Sequence, residues 1–212
     1  MKKIPSLLLA VAFASSLALA DAPNTIDLPA PSKSGGTPVL TAMAKRKSAR
    51  AFADKALTPK QMSDLLWSAA GVNRADGRRT VPSARNKQEV SVYAVTATGA
   101  WLYDAVNNKL VAVAGGDLRA LTGHQDYVKT AAVNLVYVFD ETKAGGKSER
   151  DLQWGAVSAG AMCQNAYLYC TSEELACVVR GLFDAGPLAN ALQLKPGQTI
   201  VITQSVGVPA AP

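Results

Sequence analysis

The chain has 212 residues, a formal charge of +6, one histidine and three cysteines. That length suits one domain with a sizeable core. The positive charge has no basic helix or aromatic platform beside it, which sets nucleic-acid binding aside, and no run of about 18 apolar residues points to a membrane span.

The first twenty residues have the pattern of a signal peptide. Lys2 and Lys3 form a basic start, Leu7 to Phe13 an apolar core, and Ala18-Leu19-Ala20 a small-residue cleavage site before Asp21. Losing the two lysines leaves a formal charge of +4. The expectation is a periplasmic or secreted protein. Residues 21–38 carry Pro23, Pro29, Pro31, Gly35, Gly36 and Pro38, the composition of an extended tether, so the domain is expected over 39–209.

Val39 to Ala44 reads as a short helix. Directly after it comes Arg46-Lys47-Ser48-Ala49-Arg50-Ala51-Phe52. Two guanidinium forks and a hydroxyl at i, i+2 and i+4 suit a dianionic group such as phosphate. Thr58-Pro59-Lys60-Gln61 is a capping box with proline at the first helical position. It opens a helix with Met62, Leu65, Leu66 and Ala69 on one face, and Gly71 closes it. Residues 72–89 form a long polar loop, and loops of that length in compact domains are usually functional.

Strands are expected at Val90 to Ala97, Ala100 to Asp104 and Lys109 to Ala114, the last two around the Asn107-Asn108 turn signal. Asp117 to Lys129 reads as one or two short helices. Ala132 to Phe139 is apolar enough for a buried central strand. Arg150 to Cys170 reads as a long helix whose Gly155, Ala156, Ala159, Gly160 and Ala161 permit close packing on both sides. Leu175 to Val179, Ala185 to Leu192 and Thr199 to Val206 complete the chain as strand, helix and strand. Mixed helices and strands without a βαβ repeat point to an α+β fold.

Cys163, Cys170 and Cys177 fit no zinc spacing. Two helical turns, about 10 Å, separate Cys163 from Cys170, which forbids a bridge between them in an intact helix. Buried free thiols are the preferred reading, and a bridge from Cys177 is the other. The single histidine, His124, has no nucleophile motif beside it. No Walker sequence, Gly-x-Gly-x-x-Gly or metal-ligand cluster is present. The residues therefore point to a binding site built from Arg, Ser, Asn and backbone groups, as suits a cofactor that carries its own chemistry.

Six segments in order resemble the nitroreductase-like flavoproteins. They are the Arg46 to Phe52 motif, Leu65-Leu66-Trp67-Ser68-Ala69-Ala70-Gly71 with Asn73-Arg74, and Arg79-Thr80-Val81-Pro82-Ser83-Ala84-Arg85-Asn86-Lys87-Gln88-Glu89. Gln164-Asn165-Ala166-Tyr167-Leu168, Leu175 to Asp184 and Ser205-Val206-Gly207-Val208-Pro209 follow. The subgroup it most resembles is related to the flavin-dependent azoline dehydrogenases. The resemblance implies a mixed, mainly antiparallel sheet flanked by helices in an interwoven homodimer.

It also implies FMN as cofactor and ping-pong two-electron transfer between a small-molecule donor and an organic acceptor, with no catalytic acid or base. Arg46, Lys47, Ser48 and Arg50 would hold the phosphate and ribityl end. Pro82, Ser83, Ala84 and Asn86 of a second subunit would line the ring. Val179, Arg180 and Gly181 would face the ring edge through their backbone, and His124 and Gln125 fall nearby. Trp67 and Trp154 would serve core or dimer interface. Relatives often add a basic residue near the C-terminus, whereas here nothing basic follows Lys195, and Arg180 and Arg85 are the candidates to replace it. A non-catalytic flavin- or small-ligand-binding protein on the same scaffold is the rival reading.

Overall fold

A computed structural model describes residues 24–211. The expected signal segment lies outside the described residues. Seven strands form one sheet: β1 (Thr25–Asp27), β2 (Val90–Thr96), β3 (Gly99–Asp104), β4 (Lys109–Gly115), β5 (Val133–Asp140), β6 (Ala176–Arg180) and β7 (Gln198–Gly207). Their order is β1-β4-β3-β2-β5-β7-β6, with every neighbouring pair antiparallel. The helices are α1 (Val39–Lys45), α2 (Pro59–Ala70), α3 (Glu141–Ala144), α4 (Glu149–Ser172) and α5 (Ala185–Ala191). The α+β expectation is met. The four-residue α3, capped by the Asp140 carboxylate, had no periodic signal to announce it.

β5 sits centrally between β2 and β7. Its residues Val133 to Phe139 are all buried, as a strand covered on both faces requires. On one face Leu135 and Tyr137 join a core with Leu65 and Leu66 of α2 and Met162 and Ala166 of α4. On the other, Val136 and Val138 pack with Leu188 and Leu192 beyond β2 residues Tyr93 and Val95.

The local signals explain the helix ends. Thr58 accepts from the Gln61 N–H at 3.1 Å while the Gln61 side chain accepts from the Thr58 N–H at 3.0 Å. Ser148 and Asp151 do the same at the start of α4. Gly71 closes α2 for another reason than left-handed backbone, since its φ is −72°. A Cβ there would lie 2.2 Å from the Trp67 ring, so the glycine makes room for the indole, whose Nε1 donates to the Val72 carbonyl at 3.1 Å.

The stretch expected to be an extended tether is held to the domain. Thr25–Asp27 adds to the edge of β4, with Asp27 paired to Lys109 at 2.9 Å. Farther on, the Pro29 carbonyl accepts from Ser63 Oγ at 2.6 Å and Asn108 Nδ2 at 2.9 Å. The Thr37 N–H reaches Ser172 Oγ at 2.7 Å. Proline-rich backbone is already extended, so docking it at a sheet edge costs little further ordering.

α4 is packed on one side only within the chain. Gly155, Ser158, Ala159, Met162, Cys163, Ala166, Tyr167 and Cys170 are buried, whereas Trp154 is 44% and Val157 60% exposed. The Asp117 to Lys129 region forms two 3-10 turns, Arg119–Thr122 and Asp126–Lys129. All three cysteines are buried and free.

Candidate functional site

The Arg46 to Phe52 motif leaves α1 and runs beside β6, where the Ala49 N–H donates to the Cys177 carbonyl at 2.9 Å. Beyond it, Phe52 pairs with Pro209, and Ala53 and Ala210 exchange backbone bonds with Val208 and Ala51. The motif is thus held along the last strand edge by backbone bonds and by Phe52, which is buried with Ala131, Ala176 and Val178.

Tyr167 of α4 is the junction. Its hydroxyl lies 2.9 Å from Ser48 Oγ and accepts from the Val179 N–H of β6 at 2.8 Å. Either hydroxyl can donate in the Ser48–Tyr167 contact, and accepting from Val179 leaves the tyrosine proton available to Ser48. The Arg46 guanidinium lies over the Tyr167 ring, 5.1 Å from its centre, a cation–π arrangement that orients the fork. Arg46 is half-buried, and Lys47, Ser48 and Arg50 are exposed. Among the described residues neither Arg46 nor Arg50 has an acidic partner within 4 Å. Lys47 lines a cleft with Lys45 and Thr171. Three of the expected groups therefore meet here: Arg46, Ser48 and the backbone at Val179. Tyr167 is the residue that sequence reasoning missed as a site residue. Its segment was recognised, but no local pattern showed where its hydroxyl would arrive.

Gly181 follows directly on β6, is exposed, and has no heavy atom within 4 Å of where a Cβ would stand. Its backbone is open to close approach by a ligand. Arg180 is different. Its side chain is buried and bonded to Ser205, Thr122 and Asn134, so its guanidinium is not a substitute phosphate clamp. Burial moves it off the surface because its position in β6 turns it toward Ser205 of β7 and Asn134 of β5. His124 is exposed and its Nε2 lies 3.2 Å from Asp184 Oδ1, while its N–H donates to the Leu182 carbonyl at 3.3 Å. It flanks the Gly181 turn, and the neighbouring Gln125 keeps Oε1 buried without a partner.

The Pro82 to Asn86 loop lies elsewhere in the chain. Pro82 and Asn86 are exposed and Ser83 and Ala84 half-buried. Arg85, Asn86 and Gln88 have φ of 54°, 53° and 50°, three left-handed non-glycine residues in a span of four. Such backbone costs about 1–3 kcal/mol per residue and gathers at functional sites. Ser83 Oγ braces it by accepting from the Gln88 N–H at 2.9 Å. Ala84 and Arg85 line a cleft of about 570 Å³ with Lys87, Arg150, Asp151 and Trp154 at the start of α4. Trp154 and Tyr167 stand about 20 Å apart along that helix, at 1.5 Å per residue. One chain therefore does not bring this loop to the Ser48–Tyr167 junction.

The nitroreductase family model matches residues 43–208. A curated protein of Methanocaldococcus jannaschii that carries the nitroreductase name is 25% identical over 71% of this chain and 82% of its own length. A solved Ralstonia eutropha JMP134 structure bearing the same name is 37% identical, covers 90% of this chain and 91% of that one, and has a TM-score of 0.85. A Desulfovibrio desulfuricans structure, described as a complex with FMN, shares the fold at 23% identity and TM-score 0.60, over 84% of this chain and 89% of its own. The chain belongs to the nitroreductase family of oxidoreductases.

Proposed function

We propose that this protein is an exported, homodimeric, FMN-dependent oxidoreductase that passes two electrons from a small-molecule donor to an organic acceptor by ping-pong turnover. The observation that carries the cofactor is the Ser48–Tyr167–Val179 junction, with Arg46 stacked on Tyr167 and Arg50 beside it on the same segment. Two guanidinium groups without acidic partners among the described residues, and a serine hydroxyl between them, form a donor set suited to a phosphate monoester. The open backbone at Gly181 suits the approach of a planar ring. The FMN named for the Desulfovibrio structure supports the same cofactor.

FMN, when bound, supplies the two-electron chemistry. The chain's own groups hold and enclose it. Arg46 and Arg50 would neutralise the phosphate and Ser48 would add a neutral hydroxyl contact, and Tyr167 fixes Ser48 and the β6 backbone in one register. Val179, Arg180 and Gly181 present main chain to the ring edge.

Pro82, Ser83, Ala84 and Asn86 come from a second copy and exclude water over the ring. The separation of that loop from Tyr167 along α4 supports this reading. So do the exposed apolar side chains near both ends of α4: Trp154 and Val157 on the helix itself, and Leu40, 77% exposed, on α1, which lies near its far end.

The test is the purified protein and its Arg46→Ala/Arg50→Ala variant. The wild type is expected to be yellow, to bleach with reductant and to reduce a quinone or nitroaromatic. The variant is expected to lose at least tenfold in FMN affinity, since each charge-assisted contact contributes about 1.5–3 kcal/mol. Equal FMN content in both proteins would place the phosphate elsewhere.

A further inference from the structure

Arg180 ends β6, one residue before Gly181, and the residue is 4% exposed. Its donors end on neutral acceptors. Nε donates to Ser205 Oγ at 3.0 Å, and Nη1 to the Thr122 carbonyl at 2.7 Å. Nη2 donates to Asn134 Oδ1 at 2.8 Å and Thr122 Oγ1 at 3.3 Å. No carboxylate among the described residues pairs with it. The other buried arginine, Arg119, shows the usual arrangement, with Asp117 bound to Nε at 2.9 Å and Nη2 at 2.7 Å.

The surrounding chain is shaped to this cation. A Cβ on Gly123 would lie 2.0 Å from Arg180 Nη1, so the backbone closes over the guanidinium only with glycine there. Asn134 Nδ2 donates to the Val128 carbonyl at 2.9 Å, which turns its oxygen toward Arg180. Ser205 Oγ stands 2.5 Å from the same Asn134 oxygen, a hydrogen bond that ties the two acceptors together. Burial lowers the guanidinium pKa to about 10, which leaves it charged at neutral pH. A buried charge without a counter-charge is costly, and a fold that needed only packing would be served by an apolar side chain here.

We infer that Arg180 is a fixed positive charge that tunes the ligand held at the adjoining turn, favouring its two-electron-reduced, anionic state. This rests on the flavin reading above. Reduction of the flavin would take two electrons from the donor, which is thereby oxidised, and one proton, so the ligand would gain one negative charge. The charge is carried by the residue that precedes that turn, and a buried charge is screened less than a surface one, so it lowers the free energy of the product more than that of the reactant. Arg180 touches no reacting atom and acts through the field alone.

The experiment is the reduction potential of the FMN-loaded protein, read by dye-coupled spectrophotometric titration, in wild type, Arg180→Met, Arg180→Lys and Asn134→Asp. Arg180→Met removes the charge. Asn134→Asp leaves Arg180 in place and sets a counter-charge against it, so the test does not depend on one substitution folding. Both are expected to lower the equilibrium constant for reduction at least tenfold, about 30 mV for a two-electron couple. Arg180→Lys is expected to stay near the wild-type value. Unchanged potentials in the first two variants, with FMN bound, overturn this inference alone. A wild-type protein that holds no FMN overturns the cofactor reading and this inference with it.

Discussion

Ser48 and Tyr167 lie 119 residues apart in sequence and 2.9 Å apart at their hydroxyls. The contact joins the segment after α1 to the C-terminal part of α4, and the tyrosine then passes the connection to β6 through the Val179 N–H. One phenol thus registers the arginine-bearing segment against the strand that leads to Gly181.

Tyr167→Phe should therefore weaken two things at once. It leaves the half-buried Val179 N–H without a partner, at a cost of about 1–3 kcal/mol in urea unfolding. It also frees Ser48, so FMN content on purification should fall severalfold. Full stability together with full FMN content would show that the junction has no organising role.

The thiols make a prediction about alkaline pH. Burial pushes the Cys163 thiol from 9.0 to about 12, and raises Cys170 as well. The unfolded chain gives up its thiol protons near pH 9, while the folded chain keeps them. Between pH 9 and 12 the native state binds more protons, so stability falls as pH rises. Cys163 alone should contribute a slope of up to about 1.4 kcal/mol per pH unit there, and none below. Urea midpoints from pH 8 to 11 measure it. Ellman's reagent should react only as fast as the protein unfolds.

Two glycines of α4 should respond oppositely to alanine. A Cβ at Gly155 would stand 2.5 Å from the Phe139 ring of β5, whereas one at Gly160 meets nothing within 4 Å. Gly155→Ala is expected to destabilise by about 1–3 kcal/mol through overpacking. Gly160→Ala should gain up to about 1 kcal/mol from helix propensity. Denaturant curves of the pair, with similar m-values, separate the two effects.

Val157→Glu tests the second copy. A carboxylate buried without a partner in a dimer interface costs several kcal/mol, or at least a hundredfold in dimer dissociation constant. Sedimentation should show a monomer that retains its fold and has lost FMN. A wild-type-like dimer would move the interface off this face of α4.

Much of the fold was legible because its signals are local. The Thr58–Gln61 box needs only neighbouring residues to cap α2, and the unbroken apolar run of β5 announces a strand buried on both faces. Gly71 was legible as an ending but not for its cause, which is the Trp67 ring folded against it. The stretch before Val39 looked like a tether because proline and glycine report backbone shape and say nothing of an edge strand waiting to pair.

The site divides the same way. Residue order along the chain already carries the available chemistry: two arginines and a serine on one short segment, a glycine after a strand, and a family pattern spread along the whole domain. Tertiary structure alone decided which of those groups are free. Arg46 lies half-buried over the Tyr167 ring while Arg180 is turned inward, where Ser205, Asn134 and Thr122 surround its side chain. Tyr167 became part of the site only when α4 crossed beside β6. Such contacts span dozens of residues or more, so they are set by strand order and helix packing, which no local pattern of residues encodes.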